Sequence, residues 1–259
     1  MSSLTEGIKT KGEINGNGYP FEIGVRRAEM GDGVDCGHAH AGVRIGGGLG
    51  ETGGGVGQVV DHDADELGGG GADAMANLVF AEALSQSTFA GFIITVLVHT
   101  DMASPHLHHA GTAAQKAKYM PRITSGECIT AVGVSEPGAG SDLASLQASA
   151  VKEGDQWIIN GSKVWTSLGH FAQYMLLLAR QDKSDKYGGI TYFLAPMDQP
   201  GITVKPIHKM TGESGFNEVF LDNAIVGDHL RVGNVGDGWK VAMATLTSER
   251  GAGVGVGAV

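Results

Sequence analysis

The chain has 259 residues, enough for one large domain or two ordinary ones, and 42% of it is hydrophobic, which can fill a core. Its formal net charge of −10 argues against a nucleic-acid partner, which needs basic surface to displace counterions, and against a polybasic membrane patch. Two cysteines, Cys36 and Cys128, make neither a disulfide framework nor a zinc site.

The start, MSSLTEGIKTKGEING, lacks the apolar core of a secretion signal. The longest apolar run, FAGFIITVLV over residues 89–98, is too short to cross a bilayer. Both point to a cytoplasmic protein with no membrane span.

Residues 1–67 read as a poorly specified, loop-like segment. The chain holds 43 glycines, more than twice ordinary usage, and residues 31–71 sustain no hydrophobic period. Gly48, Gly50 and Gly53 spell G-x-G-x-x-G, and Asp73 follows at the distance expected of a dinucleotide-binding turn. In a run so rich in glycine the match means little without a strand before it, a helix after it and a parallel βαβ unit, and none of these is expected. Asp61, Asp63, Asp65 and Glu66 lack the spacing of a calcium loop and read as a solvated acidic loop.

From residue 72 the period becomes helical. DAMANLVFAEALSQ places Met75, Leu78, Val79 and Ala83 on one stripe, and residues 89–98 predict a second, buried helix. In GTAAQKAKYMPRITSGE, Thr112 is an N-cap with Gln115 as its capping-box partner, and Pro121 is expected to close the helix. His99, His106, His108 and His109 crowd the loop expected before that helix. No carboxylate or cysteine completes a metal site at ligand spacing.

After Glu127 the period is that of strands. CITAVGVSE stops at Pro137. LQASAVKEGDQWIINGSKVW predicts two strands about a turn at Glu153, Gly154 and Asp155, then a second turn at Asn160 and Gly161. AQYMLLLARQ, GGITYFLAPM, GITVKPIHKM and NEVFLDNAIV predict further strands, and FNEVF reads as a strand end near a pocket. Their spacing predicts an antiparallel barrel or sandwich, and GWKVAMATLTSER predicts a helix after it.

Two stretches carry chemistry. SEPGAGSD, residues 135–142, is a strand end running into a proline–glycine turn. Its backbone amides, with the Ser135 and Ser141 hydroxyls, suit a polyanion or a flavin edge. Downstream, NGSKVWTS sets Trp165 beside the Thr166 and Ser167 hydroxyls, an arrangement that suits a planar heteroaromatic group.

Together with HTDMASPHLHHAGTAAQKAKYMPRITSGE, PMDQPGITVKPIHKMTGESGFNEVFLDNAIV and GDGWKVAMATLTSERG, these stretches resemble the acyl-CoA dehydrogenase family from about Gly68 to Arg250. The resemblance implies an α+β fold. It divides the chain into the atypical residues 1–67, a remnant of the N-terminal helical domain (68–127), a β-barrel middle domain binding FAD and acyl-CoA (128–237), and the start of a C-terminal helical bundle (238–259).

The resemblance also implies an FAD-dependent α,β-desaturation. A base removes the α-proton of an acyl-CoA thioester while the β-hydride leaves for flavin N5. Carried over by position, Val132, Val134, Ser135, Gly140 and Ser141 contact the flavin ring and pyrophosphate. Trp165 flanks the ring, with Thr166 beside it, and Ser167 bonds near N5. Ser141 also helps to seat the acyl-CoA. Glu249 is the candidate catalytic base and Arg250 its substrate-side neighbour. The implied partners are an electron-transfer flavoprotein or similar acceptor and further copies of the chain in a homo-oligomer.

Two departures stand out: residues 1–67 show none of the family's opening helices, and only the first turns of its closing bundle are present. They leave an alternative, a truncated and catalytically inactive fragment or a non-enzymatic β module.

Overall fold

The structure, a computed structural model, describes the backbone of residues 9–13, 20–27, 39–45 and 244–249, and residues 67, 96–210, 212 and 214–243 with their side chains. The motif glycines 48, 50 and 53, Asp73, the acidic run 61–66 and the expected helix over 73–86 lie outside the described residues.

Within the segment read as loop-like, the backbone forms a three-stranded antiparallel sheet: β1 (Lys9–Glu13), β2 (Pro20–Arg27) and β3 (Ala39–Ile45). The register sets Phe21 opposite Ile45 and Ile23 opposite Val43. This corrects the loop-like reading. The glycine count masked a period of two in PFEIGVRR and AHAGVRI. A strand therefore does end just before the glycine motif, but it pairs antiparallel with its predecessor, unlike a βαβ unit.

A π-helical turn (Val98–Ala103) runs directly into α1 (Ser104–Ala110), so the histidine-rich stretch expected as a loop is helical. Pro105 removes one donor from this continuous helix, and beside it Ser104 Oγ donates to Thr100 O at 2.7 Å. The helix α2 (Ala113–Thr124) opens with the expected capping box. Gln115 N donates to Thr112 Oγ1 at 3.2 Å, and Thr112 N donates to Gln115 Oε1 at 2.8 Å.

Pro121 does not close α2, because its fixed φ fits a helix and only one backbone bond is lost. The turn beyond it stays because Met120, Ile123 and Thr124 are buried and Thr124 Oγ1 donates to Met120 O at 3.0 Å. No helix among the described residues is long and apolar enough to cross a membrane.

The remaining strands form one eight-stranded, mainly antiparallel sheet. They are β4 (Thr130–Gly133), β5 (Ser149–Glu153), β6 (Gln156–Ser167), β7 (Tyr174–Arg180), β8 (Ile190–Pro196), β9 (Ile202–Ile207), β10 (Phe216–Gly227) and β11 (Arg231–Val232). The order along the sheet is β11-β8-β7-β5-β6-β10-β9, with β4 added parallel to β7.

Central strands β7 and β8 are buried almost throughout, as their unbroken apolar runs require. Between β5 and β6 the chain turns at Gly154, φ 59°, where the turn was expected. At Asn160 and Gly161 it does not turn, and β6 runs straight through. Gly161, at φ 145°, lets the backbone of Ala148 approach to where a Cβ would stand. Asparagine followed by glycine here lies within a strand, opposite the residues that lead into β5, and not at a hairpin turn.

The helices close one side of the sheet. Leu107, Tyr119, Met120 and Ile123 join the sheet's core, and Tyr119 packs edge-on against Tyr174 at 5.3 Å. Gln115 Nε2 donates to His229 O and Arg231 O, each at 2.8 Å, and so ties α2 to the approach of β11. Helix α3 (Gly238–Glu249) begins against β8, where a Cβ on Gly238 would meet Ile190 O at 2.7 Å.

Candidate functional site

The two stretches singled out in the sequence are neighbours in the fold. Strand β4 carries Val132 and leads through Val134 to Ser135, whose carbonyl accepts from Val164 N at 2.9 Å. At Gly133 a Cβ would stand 2.4 Å from Met175 Sδ, so any larger residue requires that buried side chain to move. The chain then folds on itself, with Glu136 and Ala139 exchanging backbone hydrogen bonds of 3.0 and 3.1 Å. Gly138 and Gly140 behave differently from Gly133. A Cβ on either would meet nothing within 4 Å, so no packing within the protein calls for glycine, and one face of the turn stays bare.

Opposite the turn, β6 ends abnormally. Trp165 adopts φ 60° and Leu168 φ 61°, a left-handed conformation that bulky side chains rarely take. The twist turns the Trp165 indole outward, where it is 60% exposed and meets the Phe216 ring edge-on at 6.1 Å. Phe216 opens β10 opposite Ser167, so FNEVF is a strand end beside this aromatic as expected.

The polar groups around the indole are poorly used by the protein. The hydroxyls of Ser135, Ser141 and Ser167 have no protein partner among the described residues. Thr166 is fully buried, yet its Oγ1 has no partner, and neither has Oδ1 of the equally buried Asn217. Asn217 Nδ2 donates to Thr166 O at 2.9 Å and braces the bend from behind. Buried polar atoms without partners cost stability, and they mark places where something beyond the protein's own groups can bind.

Two charged residues beneath the site escaped the sequence reading. Lys163 points inward from β6 with no exposure, and its ammonium lies 2.8 Å from Oε1 of Glu136, itself nearly buried. Burial pushes the lysine down to about 8, while the Glu136 carboxylate acts in the opposite sense. The signal was present. Trp157 and Ile159 alternate inward along β6, and a lysine in the core-facing part of the same strand demands a buried acid.

The histidines are structural. His99 Nε2 donates to Ile123 O at 3.0 Å, and its Nδ1 accepts from Thr130 N at 3.4 Å, joining the π-helical turn to α2 and β4. His106 stacks on Tyr192, with Nε2 2.8 Å from Oη, and burial holds it down to about 4, so it is neutral at pH 7. Glu249 is the last residue of α3. Its side chain and the whole of Arg250 lie outside the described residues, so the structure does not place them against the site.

Residues 131–224 match the family model described as "Acyl-CoA dehydrogenase, middle domain", and residues 56–127 match "Acyl-CoA dehydrogenase, N-terminal domain". The second match begins before Gly68, ahead of the stretch in which the sequence itself shows the resemblance. Acyl-CoA dehydrogenase IpdE1 of Mycobacterium tuberculosis is 51% identical over 152 residues, covering 58% of this chain and 40% of that protein.

The human mitochondrial short-chain specific acyl-CoA dehydrogenase is 34% identical over 200 residues, covering 76% of this chain and 48% of its own length. Among solved structures, butyryl-CoA dehydrogenase from Megasphaera elsdenii superposes with a TM-score of 0.70 at 30% identity, over 75% of this chain and 52% of that one. The chain thus spans about half or less of the length of these relatives. The paired domain matches and the relatives agree on one assignment: the chain belongs to the acyl-CoA dehydrogenase family.

Proposed function

We propose that this chain forms the flavin- and thioester-binding part of an FAD-dependent acyl-CoA dehydrogenase that desaturates an acyl-CoA between its α and β carbons. The observation that carries the reading is the Trp165 indole, turned outward at φ 60° beside hydroxyls without a partner among the described residues. The residues fit a flavin: a bare aromatic plane, a glycine turn with open space over Gly138 and Gly140, and buried oxygens at Thr166 and Asn217 without partners.

When bound, FAD supplies the acceptor for the β-hydride. Trp165 flanks the ring, and Val132 and Val134 give its neighbourhood an apolar lining. Ser135 and Ser167 hydrogen-bond its edge. Gly140 and Ser141 approach the pyrophosphate, and Ser141 also seats the acyl-CoA. The α-proton is weakly acidic, so its removal needs a positioned base and donors to the thioester carbonyl. Glu249 is the proposed base and Arg250 its substrate-side neighbour. An electron-transfer flavoprotein or similar protein would reoxidise the flavin, and the working form would be a homo-oligomer.

An absorbance spectrum of the purified full chain, after reconstitution with FAD and then anaerobic addition of acyl-CoAs, tests the reading. Flavin bands that bleach with an acyl-CoA are expected. A chain that stays colourless after reconstitution overturns it in favour of a scaffold without turnover. In Glu249→Gln the flavin bands should remain while bleaching slows by about a thousandfold or more. Unchanged bleaching removes Glu249 as the base.

A further inference from the structure

The two segments that meet at the proposed flavin site are the turn after β4 and the end of β6. Among the described residues three hydrogen bonds join them. One is the backbone bond from Val164 N to Ser135 O, at 2.9 Å. The other two come from Lys163 Nζ, which donates to Val134 O at 3.2 Å and to Glu136 Oε1 at 2.8 Å. The Glu136 carboxylate then reaches across the loop to its far side, where Oε2 accepts from Gln147 N at 2.6 Å and Oε1 from Ala148 N at 3.0 Å. One carboxylate therefore ties together the entry and the exit of the loop that carries Ser141, and one cation pins that carboxylate to the strand that carries Trp165.

Stability alone is a weak account of such a pair. Desolvating two charges offsets much of their attraction, and apolar residues of similar volume often replace a buried ion pair at no loss. What apolar residues cannot supply is direction: four donor–acceptor contacts at Val134, Glu136, Gln147 and Ala148 each fix an angle as well as a distance.

We propose that Glu136 and Lys163 are positioning residues for the flavin site, a buried latch that sets where the loop bearing Ser135 and Ser141 stands relative to Trp165. The inference rests on the flavin reading above. Neither residue touches the flavin; both act through the backbone they hold.

The test compares the full chain with Lys163→Met and with the double variant Glu136→Gln/Lys163→Met. The single variant leaves a buried carboxylate without its cation and is expected to be the less stable of the two. The double variant removes both charges together and is expected to unfold cooperatively. Without flavin, backbone amides of residues 135–148 in the double variant should exchange at least about tenfold faster, while those of β7 and β8 keep their protection. FAD should bind about 10- to 100-fold more weakly. At saturating FAD the flavin absorption bands should also broaden and shift, which a merely structural pair would not cause.

A double variant with unchanged loop exchange, FAD affinity and flavin spectrum overturns the latch. A wild-type chain that takes up no FAD overturns the flavin reading instead, and the exchange measured without flavin still decides whether the pair holds the loop.

Discussion

The two ends of β6 are anchored in opposite ways. At its start, Trp157 is buried, packs edge-on against Phe193 at 5.3 Å, and donates from Nε1 to Asp228 Oδ1 at 2.7 Å. Asp228 also accepts from Arg231 Nε at 3.1 Å and Lys152 Nζ at 3.4 Å, so its carboxylate is fully engaged within the protein. At the far end the charged pair is sealed in the core, while the aromatic residue stands in solvent on a strained backbone with unsatisfied oxygens around it. One tryptophan of the strand has every polar need met by the protein. The other lies where such needs are left open, at Thr166 Oγ1 and Asn217 Oδ1.

The contrast breaks most visibly under truncation of each ring. Trp157→Ala should destabilise the chain by about 3–5 kcal/mol, read from urea unfolding, because it leaves a cavity and takes one hydrogen bond from the Asp228 carboxylate. Trp165→Ala should change stability by no more than about 1 kcal/mol, since little burial is lost. In the same variant FAD affinity should fall about 10-fold or more, measured by flavin fluorescence titration, for want of a stacking surface. If Trp165→Ala proves the more destabilising of the two, the division between a structural end and a binding end is wrong.

Acid sharpens the comparison by a smaller amount. The Trp157 N–H, helped by Arg231 and Lys152, holds the Asp228 carboxyl down to about 2, below its ordinary 3.8. A carboxyl depressed on folding contributes stability that is fully present above about pH 4 and is lost as pH falls toward 2. The side chain is 28% exposed, so the contribution is about 1 kcal/mol after solvent screening. Thermal unfolding across pH 4 to 2 should show that loss, and Asp228→Asn should abolish it at a similar cost to stability at pH 7. An acid limb of equal slope in Asp228→Asn would mean that another group controls it.

Much of the architecture was legible in short-range pattern. The Thr112–Gln115 capping box, the turn at Gly154 and the unbroken apolar runs of β7 and β8 all stand where local chemistry put them. The turn that opens at Ser135 and the strand end that carries Trp165 do meet, through the bond from Val164 N to Ser135 O. Misreadings came where a local signal has two meanings. Asn160–Gly161 favours a hairpin in isolation but here lies inside β6, where glycine makes room for Ala148, and Pro121 permits a further turn once Ile123 is buried. Glycine frequency over residues 1–67 hid alternations that form strands.

By itself the sequence determined the family and the order of the strands after Glu127, because turns and hydrophobic periods act over a few residues. Only the tertiary structure decided that Lys163 and Glu136, 27 residues apart, share one buried bond, and that Trp165 faces outward at φ 60°. Both depend on distant backbone. A charge can be buried only where another chain segment brings its partner, and a strained dihedral persists only where surrounding contacts hold it.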